Sequence, residues 1–163
     1  PTVLRPGGIP IESLREVLGD VAQKSREIST PAAEEVIPSP GMLDRHYAPR
    51  APLHLFTGPD NMKVYVNMQL AIAKGIVEGE KVALLLADED LPHFQQTNTT
   101  IATVGSLTDL DSVARHLFRT LRELDTAGTT LILARDFPPT GLGRAIRDRL
   151  RRAAEKIIDT DFG

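Results

Sequence analysis

The seven residues from Lys81 to Ala87, KVALLLA, constrain the fold more than any other stretch of the chain. Only the lysine is polar, so the run has no wet face, as a strand covered on both sides requires. A sheet of such strands needs helices above and below it, and the flanking sequence supplies them. Leu53 to Thr57 (LHLFT) reads as a strand, and Gly58-Pro59-Asp60 as a turn in which Asp60 caps a helix. That helix runs to about Glu78, with Val64, Met68, Ala71, Ile72 and Ile76 on one side. Asp88 to Asn98 is polar and irregular, and Thr99 to Val104 alternates like a third strand. Leu107 to Leu124 is amphipathic, with Leu110, Val113, Ala114, Leu117, Leu121 and Leu124 on its apolar side. Thr129 to Ala134 (TTLILA) is a fourth strand, and Gly141-Leu142-Gly143 opens a helix whose spacing extends to about Ile158. Strands alternating with helices predict an α/β fold. It is a Rossmann-like three-layer sandwich, with a mostly parallel sheet of four to five strands and helices on both faces.

Two zones precede this domain of residues 51–163. In residues 1–19, Ile11, Leu14, Val17 and Leu18 recur at helical spacing between Pro10 and Gly19, residues suited to the start and the end of a helix. An opening on Pro1 that runs straight into an apolar stretch reads as the continuation of a longer chain. Residues 20–50 hold Pro31, Pro38, Pro40 and Pro49 without a sustained period, and read as an extended arm or linker. A stretch of that length is either mobile or functional. Residues 1–50 are expected to pack poorly on the sheet.

Composition removes several classes of function. The formal net charge is −3, which gives no global attraction to nucleic acid or anionic membranes. There is no cysteine, so disulfides, thiolate metal sites and a cysteine nucleophile are excluded. No apolar run reaches the roughly 18 residues of a membrane span. A cytoplasmic chain with no direct nucleic-acid or membrane contact is expected. His46, His54, His93 and His116 offer no pair at the spacing of a helical metal site, so no metal site is predicted.

Three local patterns leave two readings each. Gly141 and Gly143 at a helix start could hold an anion on free backbone amides, or could allow close helix–strand packing. Arg144, Arg147, Arg149, Arg151 and Arg152 could meet RNA or an acidic partner, or form a solvated face paired with nearby carboxylates. Asp88-Glu89-Asp90, following a strand, could hold a hydrated cation or form a solvated loop.

The densest run of unusual residues is Ser39-Pro40-Gly41-Met42-Leu43-Asp44-Arg45-His46-Tyr47-Ala48-Pro49. Prolines stiffen it, Gly41 permits a sharp reversal, and the His and Tyr rings carry donors that can reach a nucleotide or a carboxylate. From the residues alone it is either such a contact segment or an inter-domain linker whose aromatic packs on a neighbour.

This run resembles the SPGM-x-x-x-HYAP linker of two-domain L-threonylcarbamoyladenylate synthases. Leu4-Arg5-Pro6-Gly7-Gly8-Ile9 resembles the segment that closes their YrdC-type catalytic domain. The stretch from Gly141 to Ala154 resembles a helix of their second domain. The resemblance implies that residues 1–19 end the catalytic domain, residues 20–50 form a lid, and residues 51–163 are an accessory domain. It implies an enzyme that condenses L-threonine, bicarbonate and ATP, with Mg as counter-ion, into threonylcarbamoyl-adenylate. A separate transferase complex then uses that product on tRNA. Arg5 is implied as a nucleotide contact, His46 and Tyr47 as lid contacts, and Ser39, Pro40, Gly41 and Met42 as residues that shape the lid. The substrate-binding motifs belong to the catalytic domain, so this chain alone is not expected to catalyse the reaction or to bind a cofactor tightly. The alternative is a nucleotide- or partner-binding module of the same machinery without catalysis of its own.

Overall fold

Alternate residues of a strand point to opposite faces, and the apolar strands here use both faces fully. The computed structural model describes residues 1–4, 7–23 and 48–161. Its elements are β1 (Thr2–Val3), α1 (Ile11–Leu18), β2 (Ala22–Gln23), β3 (Leu53–Thr57), α2 (Asn61–Val77), β4 (Val82–Leu86), β5 (Thr100–Thr103), α3 (Leu110–Thr126), β6 (Leu131–Arg135), α4 (Gly143–Ala153) and β7 (Lys156–Asp159). A 3-10 turn covers Asp88–His93. The main sheet has five strands in the order β5-β4-β6-β3-β7, and every neighbouring pair is parallel.

Every residue of β4 is buried. Ala83, Leu85 and Ala87 face a core with Leu53, Leu55, Ile132 and Ala134 under α3 and α4. Val82, Leu84 and Leu86 face a second core with Val64, Tyr65, Met68 and Ile72 of α2. Helices therefore lie on both sides of a parallel sheet, as the sequence predicts.

Local signals set the helix ends. The Asp60 carboxylate accepts from the amides of Met62 and Lys63 at 2.9 and 3.3 Å, which satisfies donors left open in the first turn. Asp109 does the same for Ser112 at 3.1 Å. Gly75 lets α2 settle on the sheet, because a Cβ there would come within 2.7 Å of a Val82 methyl.

Two expectations are corrected. The last helix ends at Ala153 rather than near Ile158, and Lys156–Asp159 is a strand paired with β3. Ala154 turns extended (φ −70°, ψ 132°) without a glycine or proline to mark the break. The open edge of β3 then takes the β-branched Ile157 and Ile158. Ile76 does not face the core; it is 45% exposed, at the border of the buried arc of α2.

The opening segment does not join the main sheet. β1 and β2 pair in parallel as a sheet of their own, with α1 between them in sequence. α1 ends at Gly19, whose φ of 75° suits glycine. The segment reaches the larger domain through an ion pair between Glu12 and Arg144 at 2.9 Å.

Candidate functional site

In an open parallel sheet, ligands bind beyond the carboxyl ends of strands, where neighbouring connections diverge. Here that point lies between β4 and β6. The chain leaves β4 through the 3-10 turn on the α2 side and goes to β5; it leaves β6 for α4 on the other side and goes to β7.

A buried polar cluster occupies this place. Arg135, the last residue of β6, donates to Asp90 at 2.6 Å through Nη1, to Asn61 at 3.1 Å through Nη2, and to the Asp136 carbonyl at 3.0 Å through Nε. Asp90 has no exposed surface, and it also accepts from the Tyr65 hydroxyl at 2.7 Å and the Ala87 amide at 3.0 Å. The His93 ring stacks on Tyr65 with centroids 4.2 Å apart. Burial, reinforced by the hydrogen bond to Asp90, pushes the Tyr65 hydroxyl up to about 12, so it is a fixed donor rather than a nucleophile. Among the described residues, no buried side-chain nitrogen or oxygen lacks a partner. The cluster holds three segments together and leaves no unpaired base or nucleophile for chemistry.

Neither reading of the Asp88–Asp90 run holds for its last residue. Asp90 is inside the protein, not in a solvated loop, and its oxygens face an arginine rather than a cation site. Glu89 points elsewhere, accepting from the Ser106 hydroxyl and from the Leu107 amide at 3.0 Å. Partial burial would raise its pKa, but these hydrogen bonds outweigh it and hold the group below its ordinary 4.5. A lowered carboxyl pKa means that the unfolded chain binds the proton more readily. Stability from Glu89 is therefore present above about pH 4.5 and is lost as pH falls through the lower folded value. Acid titration of the melting temperature should show this loss, and Glu89→Gln should flatten the curve below pH 4.5.

Beyond β6, Asp136 gathers Arg147 at 2.9 Å and Arg151 at 3.4 Å. Arg152 pairs with Asp148 at 3.0 Å, and Arg149 lies over the Phe118 ring at 4.9 Å. All five arginines of α4 thus have partners within the chain. The Gly141 turn has φ 53°, and a Cβ on Gly143 would collide with the Pro138 carbonyl. The amides of Gly143, Arg144 and Ala145 donate to Thr140, Gly141 and Leu142 at 2.9, 3.3 and 3.0 Å, within the turn itself. Arg5, Ser39, Pro40, Gly41, Met42, His46 and Tyr47 lie outside the described residues. The amides of Arg50 and Ala51 donate to the Asp125 carboxylate at the end of α3, at 3.0 and 3.3 Å.

The sequence gives little warning of the buried cluster. Its one signal is Arg135, a cation closing an otherwise apolar strand.

A family model described as the C-terminal domain of threonylcarbamoyl-AMP synthase matches residues 9–155. The chain belongs to this family. It is 34% identical over 159 residues to threonylcarbamoyl-AMP synthase of Pyrococcus abyssi, covering 94% of this chain and 42% of that protein. It is 32% identical over 154 residues to the Bacillus subtilis protein of the same name, again covering 94% and 42%. The chain therefore spans about two fifths of the length of these threonylcarbamoyl-AMP synthases. The crystal structure of P. abyssi Sua5 complexed with L-threonine superposes with a TM-score of 0.77 at 33% identity, covering 98% of this chain and 44% of that one. A P. abyssi Sua5 in which a His and the Tyr after it are both alanine superposes at 0.73, with 30% identity and 98% and 43% coverage. Among the described residues of this threonylcarbamoyl-AMP synthase domain, no group of three His, Asp or Glu converges to hold a metal, and no helix is long and apolar enough to cross a membrane.

Proposed function

We propose that this chain is the accessory domain and lid linker of a cytoplasmic threonylcarbamoyl-AMP synthase. The whole enzyme would join L-threonine, bicarbonate and ATP, releasing pyrophosphate, to make the activated intermediate for threonylcarbamoyladenosine in tRNA. One observation carries the reading: the family match runs from residue 9 to residue 155, through the linker as well as the domain. A second supports the division of labour. The polar cluster at the diverging strands is fully paired, so that cluster presents no free acid or base of its own.

In this reading ATP, with Mg as counter-ion, and L-threonine bind in a YrdC-type catalytic domain beyond this chain. A tRNA-modifying transferase complex takes the product. Residues 1–19 close the catalytic domain, and Arg5 reaches the nucleotide. Residues 20–50 form the lid. His46 and Tyr47 lie against the substrates, while Ser39, Pro40, Gly41 and Met42 set the lid's shape. Gly141 and Gly143 shape the turn before α4; an anion bound there would compete with the amide hydrogen bonds already made within that turn. A mixed anhydride hydrolyses readily, so a cover that excludes water protects it.

The test uses the full-length protein with His46→Ala and Tyr47→Ala, singly and together. His46–Tyr47 is the sole His-Tyr pair in the chain. The solved P. abyssi variant keeps its fold without such a pair, so the substitutions should report on activity rather than folding. Threonine- and bicarbonate-dependent pyrophosphate release should drop at least about tenfold, equivalent to about 1.4 kcal/mol, with the melting temperature unchanged. Undiminished turnover in the double variant would overturn the lid assignment.

A further inference from the structure

The outward side of α3 differs from the rest of this acidic chain. Arg115, the pair Phe118 and Arg119, the pair Arg122 and Glu123, and Thr126 recur one helical turn apart, at spacings of three and four, so they share one helix face. They line an open groove of about 660 Å³. Arg149 of α4 joins them, its guanidinium 4.9 Å from the Phe118 ring centroid. The groove lining thus holds three guanidinium groups, with a fourth beside it, and a single carboxylate, Glu123, which Arg119 holds at 3.5 Å. Among the described residues, Arg115 and Arg122 have no carboxylate partner. The other arginines of α4 are spent on Glu12, Asp136 and Asp148.

We infer that this groove is an interaction surface for the phosphate backbone of single-stranded RNA, with the Arg149–Phe118 stack as a platform for a base. Three considerations select that partner. The described lining belongs to one helix face, which cannot enclose a small ligand to the 70–90% that such ligands require. An extended polyanion needs no enclosure. Arg115, Arg119 and Arg122 are separated along the axis by about 6 and 4.5 Å at 1.5 Å per residue, so they can meet successive phosphates. Arginine forks onto phosphate oxygens, and a guanidinium plane stacks on unpaired bases. An acidic peptide has no use for the stacked plane. The overall charge, from which no nucleic-acid contact was expected, conceals this local excess because all the chain's carboxylates but Glu123 lie outside the described groove lining. This surface is separate from the lid, and it stands whether or not the lid assignment holds.

The experiment measures fluorescence anisotropy of a labelled unstructured RNA dodecamer with the 163-residue chain across a salt series. Three proteins are compared: the natural chain, Arg115→Glu/Arg122→Glu, and Lys63→Glu/Lys74→Glu, which makes the same charge change on α2. The α3 variant should bind at least about tenfold more weakly. Its plot of log affinity against log salt should be shallower by about 1.4, two contacts at about 0.7 each for single strands. The α2 variant should bind like the natural chain. Circular dichroism checks the fold of each. Absence of binding by the natural chain, equal losses in both variants, or displacement of the RNA by polyglutamate at matched charge would each overturn the proposal. The last of these would point to an acidic protein partner instead.

Discussion

Replacing Arg135 with leucine should cost about 3–5 kcal/mol of folding stability, the usual penalty for breaking a buried ion pair by removing one partner. The size follows from what remains. Asp90 has no exposed surface and keeps its contacts with Tyr65 and Ala87, yet it loses its counter-charge. Water cannot replace the guanidinium without opening the junction between β4, β6 and α2. Adding Asp90→Asn should recover a substantial part of the loss, because its oxygen can still accept from the Ala87 amide while its NH2 group, in place of the other carboxylate oxygen, donates to the Tyr65 hydroxyl, and no charge is buried. Urea unfolding of the natural protein, both single variants and the double variant completes the cycle. A cost for Arg135→Leu below about 1 kcal/mol would show that the pair behaves like a surface salt bridge. The cluster would then not fix the strand ends.

Leu84→Ala should cost about 2–5 kcal/mol, as large-to-small changes in closed cores do. Leu84 is in the middle strand of three hydrogen-bonded neighbours and has no exposed surface. It belongs to the core that includes Tyr65, Met68, Ile72 and Phe94. These packed rings and branched chains leave little room for collapse into the space vacated. Leu70→Ala is the matched control: the same atoms are removed from α2, but Leu70 is 65% exposed, so the change should stay within about 0.5 kcal/mol. Midpoints in urea with unchanged slope would read both values. Similar midpoints for the two variants would contradict the burial of Leu84 beneath α2 and the exposure of Leu70 on its outer side.

These two residues also show how far the amino-acid pattern reaches. Leu84 can be placed from its neighbours, since an all-apolar run of strand length fits only a doubly covered strand. Asp60 could likewise be named as a cap, because a short acceptor before a periodic segment serves that purpose locally. β7 could not. Ile146, Leu150 and Ile157 keep near-helical spacing past Ala154, and only the free edge of β3, a hundred residues earlier in sequence, makes extension preferable there. Arg135 and Asp90 are 45 positions apart, and no period or motif links them. Their meeting depends on which strands become neighbours, a tertiary matter. The lid residues were legible through their resemblance to a family motif and not through the chemistry of His46 or Tyr47 alone.

The strand order has a consequence for biosynthesis. β3 is the first strand of the main sheet to be made, yet its two partners, β6 and β7, are the last. While the ribosome is still translating the middle of the domain, Leu53, Leu55 and Phe56 have no hydrogen-bonding neighbour and no completed core to enter. β3 can pair fully with β6 only after residue 135 has left the exit tunnel. Nascent chains arrested before that point should be prominent clients of holding chaperones, because a sticky strand waits longest for its mates.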